Sequence, residues 1–343
     1  MQRFWRIFME EKANLEHALL HHHEDEYHEI RDLLGFYFEE FTNCKLEIEA
    51  DGDIFECTFL PEQEKSIQII TECLKAMAPE EVKTNWIIHS ALPPMSIKAE
   101  CTRFKGMDRE YGLEDIQVYY VLDEANHAFN CSLYCEAFLN MDANKALELA
   151  TYMLMLAIGE IALEGYINSI EVAQTPKKDQ NGCILSDFYD VLTDVAVEGK
   201  WPDYQDVYSI YRVFKINEGK EESDEVRHDM KMVMSIHPEL IAETLEGDSF
   251  IAQQFEKLGG EYGYLYYELV HNEVHDALYR QRLQSKLNEI LYALHIAHSI
   301  GGAIGTKYAY IDLAIFDKPA FLKVLPKINE HLSIDLRYRS FLD

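Results

Sequence analysis

Lys45-Leu46-Glu47-Ile48-Glu49-Ala50-Asp51-Gly52-Asp53-Ile54-Phe55-Glu56-Cys57-Thr58-Phe59 is the stretch that decides the fold. Apolar and polar residues alternate on both sides of Asp51-Gly52. That pattern reads as a hairpin of strands at 45–50 and 53–59, because Asp-Gly suits a two-residue turn whose positions need φ > 0. A helical pattern follows over 64–77 and stops near Pro79. A closing strand at 85–92 ends at Pro93-Pro94. The same order returns at 116–173: a strand at 116–122, a turn near Asn126, a strand at 129–138, a helix over about 143–164 and a strand at 167–173. Asp142 suits the N-cap of that second helix, and Gly165 its C-terminal end. The repeat predicts two ββαβ halves forming one antiparallel sheet with helices on one face.

Outward from this repeat, residues 1–40 read as a helical segment. Leu15, Leu19, Ile30, Leu33 and Leu34 supply its apolar stripe, and Gly35 is placed to bend or break it. Residues 176–206 read as a linker rich in turn formers, with a short helix between Thr175-Pro176-Lys177-Lys178-Asp179-Gln180-Asn181-Gly182 and Gly199-Lys200-Trp201-Pro202. The remainder reads as a strand at 207–216, a helix over 224–245 interrupted at Pro238, a strand at 262–270 and a long helix over 273–299. A strand at 308–316, a helix over 321–332 and a strand at 334–341 complete it. Set aside the long helix and the order is βαββαβ, that of a ferredoxin-like domain. The expected fold class is therefore α+β: a duplicated ββαβ domain over 41–175, then a ferredoxin-like domain over 207–343 with an extra long helix.

The 31 Lys and Arg residues face 61 Asp and Glu, a formal net charge of −30. A field of that sign repels phosphate backbones and anionic lipid headgroups, so nucleic acid and membranes are disfavoured as partners. The densest basic stretches, Lys177-Lys178 and 337–339, are too short to reverse it. A basic partner protein fits the charge, and a homo-oligomer is compatible with it. The seven cysteines are odd in number and form no CxxC pair. Cys131 and Cys135 share a strand face but stand too far apart along an extended chain to bond. A reduced, cytoplasmic setting is expected. The N-terminal residues lack an apolar signal core, and the longest apolar stretch, 152–163, contains Glu160 and is too short to cross a bilayer.

Several phrases point to a family: Phe4-Trp5, Ala78-Pro79, Asn85-Trp86, Gly159-Glu160, and Gly301-Gly302-Ala303-Ile304-Gly305-Thr306-Lys307-Tyr308-Ala309-Tyr310-Ile311-Asp312 followed by Phe316-Asp317. In these the chain resembles a family of uncharacterised bacterial proteins of similar length. The resemblance implies a bacterial cytoplasmic origin and carries over no catalytic residue.

Chemistry-bearing residues fall into a few groups. His17, His21, His22, Glu26 and His28, with His23 and Asp25 among them, offer imidazole and carboxylate at helical spacing, the donor set of zinc and similar divalent ions. The same residues also suit an ordinary solvated helix face. His271 and His275 are four apart, but the order His-Asn-Glu-Val-His is not that of zinc proteases. With His295 and His298 they form a second metal candidate if the four converge on one cleft. Gly301-Gly302 and Gly305 follow a helix and precede a strand, the reverse of a phosphate loop, and read as a cap and tight turn. Glu160 falls with Glu148, Tyr152 and Glu164 on what reads as the outer stripe of its helix. Tyr262, Tyr264, Tyr266, Tyr308 and Tyr310 stud two strands and suggest an interaction surface or cross-strand packing.

No nucleophile elbow or reactive-cysteine signature is present. No cofactor is expected. The reading is of a non-catalytic protein acting through protein contacts, of the immunity or regulatory type. The alternatives are a metal-dependent hydrolase with an inter-domain histidine site and a small-ligand-sensing domain.

Overall fold

α1 (Gln2–Leu20) and α2 (Glu24–Thr42) open the chain as a helical hairpin, in a computed structural model that describes residues 1–106, 109–177, 179–216, 223, 225–270 and 273–343. Lys178 and His271, and Asp224 at the start of an expected helix, lie outside the described residues. The turn between α1 and α2 is a Schellman motif. His23 N–H bonds Ala18 O, His22 N–H bonds Leu19 O, and His22 takes a left-handed φ of 54°. Gly35 does not break α2, which continues to Thr42.

The quoted hairpin is β1 (Lys45–Asp51) and β2 (Ile54–Leu60), paired from Lys45↔Leu60 to Asp51↔Ile54. Its two loop residues are Gly52 and Asp53, one place later than the Asp51-Gly52 reading, and only Gly52 has positive φ, at 59°. That is the pattern of a type II′ turn, with glycine first. After α3 (Lys65–Ala76) and the single turn α4 (Glu80–Lys83), β3 (Trp86–His89) returns parallel to β2. The short α5 (Ile97–Cys101) and a two-residue ladder, β4 (Phe104–Lys105) with β5 (Glu110–Tyr111), lead on. Then β6 (Gln117–Asp123) and β7 (Ala128–Tyr134) form the second hairpin. α6 (Ala143–Ile158), capped by the Asp142 side chain, and α7 (Glu160–Tyr166) bring β8 (Ile167–Val172) back parallel to β7.

The expectation of one antiparallel sheet is corrected. The two hairpins lie in separate sheets, ordered β1-β2-β3 and β8-β7-β6-β9, and each of these holds a parallel pair. The cause is the connection: a hairpin joins antiparallel neighbours, whereas a helical crossover returns the chain in the same direction. The expected linker, read as turn formers around a short helix, is more structured than that reading. It contains β9 (Asn181–Ile184), which pairs with β6, and α8 (Phe188–Gly199), whose Phe188, Leu192 and Ala196 are buried. Four residues of strand among turn formers give too short a pattern to read.

By its internal contacts the chain divides into two units, Met1–Glu64 with Ala78–Ser209 and Lys65–Met77 with Ile210–Asp343. In the first, aromatic rings from the hairpin of helices meet those of the first sheet. Phe38 stacks on Phe59 at 4.9 Å, Phe8 meets Trp86 edge-on at 4.9 Å, and Phe55 stacks on Trp86 at 5.1 Å. The Trp86 indole N–H donates to Glu16 at 2.7 Å, so the one polar atom of the ring is satisfied.

The second unit contains α3 and one six-stranded sheet. Its strands are β10 (Arg212–Lys215), β11 (Met230–Ser235), β12 (Glu261–Glu268), β13 (Ala297–Gly305), β14 (Tyr308–Ile315) and β15 (Arg337–Ser340). They lie in the order β10-β11-β13-β14-β12-β15, with every neighbouring pair antiparallel. α9 (Pro238–Glu246) and α10 (Phe250–Lys257) precede β12. α11 (Glu273–Leu291) and α12 (Lys318–Asn329) pack Leu283, Leu287, Leu291, Phe321 and Leu325 with Leu265, Ile311, Leu313 and Ile315 of the sheet.

Three expectations change here. The expected helix over 224–245 holds a strand, β11, before α9. The methionines of Met230-Lys231-Met232-Val233-Met234 favour helix intrinsically, but pairing with β13 overrides that preference. The long helix ends at Leu291, and Gly301, Gly302 and Gly305 lie within β13 rather than in a turn. A Cβ at Gly301 or Gly302 would press on neighbouring backbone, so these glycines allow close approach of strands. Finally, the run β12-α11-β13-β14-α12-β15 follows the order βαββαβ with the long helix inside it, where the expectation had set that helix aside.

Candidate functional site

In the first unit, β1 is the edge of its sheet, with β2 on one side only. Lys45, Leu46, Glu47, Ile48 and Glu49 all line one cavity of about 830 Å³. Successive side chains of a strand point to opposite faces, so five consecutive residues can share a cavity only if it runs along the strand's edge. The Tyr27 hydroxyl donates to Ile48 O at 2.9 Å. That carbonyl therefore points away from β2, and the Ile48 N–H points with it. Leu46, two residues away, has the same orientation.

α2 walls the groove with Tyr27, Arg31, Asp32, Phe36 and Glu39, and Lys98 of α5 and Tyr152 of α6 line it as well. Phe36 is 59% exposed, an apolar ring offered to solvent beside the strand. Five carboxylates line the groove against three cations: Asp32, Glu39, Glu47, Glu49 and Glu62 against Arg31, Lys45 and Lys98. Two cations are already engaged, Arg31 with Asp32 at 2.7 Å and Lys98 with Glu47 at 2.6 Å.

The surplus of negative charge registers in the groove's own titrating groups. Burial raises the Glu49 carboxyl above its ordinary range, and the charges of Glu47 and Glu56 raise it further. Cys44, at the foot of β1, is pushed up to about 11 by burial and then by Glu62, Glu64 and Glu160.

Glu160 is not on an outer stripe. It is 1% exposed, and it accepts the Gln63 N–H at 2.6 Å. The expected single helix breaks at Gly159 by 108°, which turns Glu160 inward. Its bond fixes the turn that carries Glu62 at the groove, where Glu62 and Gln63 both hold left-handed φ, 53° and 64°.

The five tyrosines expected as an interaction surface are buried: Tyr262, Tyr264, Tyr266, Tyr308 and Tyr310 are each 8% exposed or less. They belong to the other face of the second unit's sheet, and residues 225–229 help to cover it. Arg227 lies 4.6 Å from the Tyr264 ring and 4.7 Å from that of Phe341, and pairs with Asp312 at 2.7 Å. Asp229 accepts the Lys307 and Tyr308 N–H groups at 2.9 Å each and the Tyr310 hydroxyl. Phe255 of α10 stacks on Tyr262 at 4.1 Å. The correction has a simple cause: alternation marks two faces, and both faces of this sheet are covered.

Of the C-terminal histidine group, His271 lies outside the described residues, and His275, His295 and His298 do not converge. His275 starts α11 and His295 follows its end; sixteen residues of helix between positions 275 and 291 span about 24 Å. His298 sits on β13, partly buried, with its Nδ1–H directed to Ser299 O at 2.8 Å. The N-terminal group does assemble, with a changed membership. One ligand atom each of His17, His23 and Glu26 lies within 4.8 Å of the others. The His21 ring is 4.4 Å from that of His17, whereas the His28 ring packs against Tyr27.

Of the groove residues, Glu47 and Glu49 were visible as polar positions of a strand, but no local signal tells an edge strand from a central one. Among the described residues no single helix is long and apolar enough to cross a membrane. No family model matches this chain, and neither a curated protein nor a solved structure is significantly similar to it.

Proposed function

We propose that the chain is a non-catalytic binding protein, of the immunity or regulatory type, which takes an extended lysine- or arginine-bearing segment of a basic partner protein along β1. The observation that carries this reading is a strand edge that pairs with no second strand, with only its Ile48 carbonyl held by Tyr27, lining a groove with a carboxylate surplus. An added strand gains main-chain hydrogen bonds from the edge, while alternate side chains meet Glu39, Glu49 and Glu62. The net charge of −30 steers such a partner from a distance.

A peptide of alternating lysine and valine is the probe, with a glutamate–valine peptide as its control, titrated into the full chain by calorimetry. The cationic peptide binds, its affinity falls as salt rises, and Glu49→Lys weakens it by roughly tenfold, about 1.4 kcal/mol. Equal binding of both peptides, or indifference to Glu49→Lys, would contradict the proposal.

The same reading takes 45–89 and 117–172 as two copies of one ββαβ unit, supported by their common order of hairpin, helix and parallel return. It takes 261–340 as ferredoxin-like. In support, the four strands of that run lie in the order fourth, first, third, second, all antiparallel to their neighbours. The chain is read as bacterial and cytoplasmic, in keeping with its seven free cysteines.

A further inference from the structure

We infer that the turn joining α1 and α2 is a binding site for a divalent transition-metal ion of the zinc class, held by His17, His23 and Glu26. Three elements of local structure put these side chains together. His17 lies in the last turn of α1, His23 is the N-cap of α2, and Glu26 is in its first turn. The Schellman closure at His22 and His23 fixes the backbone between them, and the Tyr27 N–H bond to His23 O starts α2 at once. The backbone entropy of bringing residue 17 to residues 23 and 26 is therefore already spent on folding.

The donor set is two imidazoles and one carboxylate, which suits zinc and its neighbours and leaves one position for water or a further ligand. His21 is placed to fill it, its ring 4.4 Å from His17 and 6.0 Å from His23. Zinc bonds of about 2.0–2.2 Å require ligand atoms about 3.3–3.5 Å apart. The side chains are all exposed, so the observed limit of 4.8 Å leaves them free to close to that separation by side-chain rotation. His23 Nδ1 and Glu26 Oε2 already stand 3.5 Å apart. Glu24 and Asp25 in the same turn add negative charge, and the C-terminal end of α1 favours a cation.

Bound metal would cross-link α1 to α2 one residue before Tyr27, whose hydroxyl holds the β1 edge. The site is distinct from the peptide groove, so either can fail without the other.

Zinc chloride titrated by calorimetry into the tag-free full chain tests the site. One equivalent binds, the metal raises the melting temperature, and His23→Ala, His17→Ala or Glu26→Gln each weakens binding by at least about tenfold. Because these side chains are exposed, the variants keep the wild-type circular dichroism. His28→Ala binds as wild type. No saturable binding, unchanged affinity in His17→Ala and His23→Ala, or an equal loss in His28→Ala would overturn the assignment.

Discussion

Arg227 and Asp312 show how much a single residue pair decides in this protein. The pair is 5% and 0% exposed, and the guanidinium sits among Tyr264, Tyr310 and Phe341. Removing one partner leaves the other charged, buried and unpaired, so Asp312→Ala is expected to cost roughly 3–5 kcal/mol in chemical denaturation. The double variant Arg227→Met with Asp312→Leu should recover part of that loss, because it removes both charges and keeps apolar volume, while the buried Arg280 still loses the Asp312 charge beside it. A double variant as unstable as the single one would mean that the pair contributes through something other than burial of an orphaned charge. At this scale the sequence was partly legible. The tyrosine stripe could be seen in the alternation of 262–266 and 308–310, but its burial could not, since Arg227 and Asp312 lie 85 residues apart. The histidine group could be seen too, although helical spacing favoured His21, His22 and His28, and only the turn geometry brings in His23.

At the scale of elements, Gly159 carries a consequence that its sequence neighbourhood hides. It joins α6 to α7 with φ 82° and ψ 160°, a region essentially closed to other residues. A Cβ there would meet Pro94 N at 2.9 Å and Leu92 O at 3.1 Å. The bend in turn lets Glu160 N–H bond Leu92 O at 2.9 Å. Gly159→Ala is therefore expected to lower stability by about 2–4 kcal/mol, read as a drop in melting temperature, from backbone strain and from the clash together. A variant as stable as wild type would show that the helix can straighten. Hairpins, capped helices and most strands were readable because their signals are local: Asp142 caps α6, and the turn around Gly52 differs by one residue from its reading. What could not be read was set by pairing at a distance. β11 looked helical, β9 looked like linker and β13 looked like a turn, and each is a strand because a partner strand lies beside it.

For the whole molecule, charge is the property that composition gives directly, while its placement requires the fold. The excess of carboxylates sets up a field that repels polyanions. It becomes a binding argument only because Glu39, Glu49 and Glu62 gather along the side of β1 away from β2. The most direct test is amide hydrogen exchange of the full chain, followed at Leu46 and Ile48, with the alternating lysine–valine peptide present and absent. The account predicts that both amides exchange more slowly with the cationic peptide, that high salt removes the protection, and that the glutamate–valine peptide gives none. Unchanged exchange at Leu46 and Ile48 while the cationic peptide is bound would contradict it.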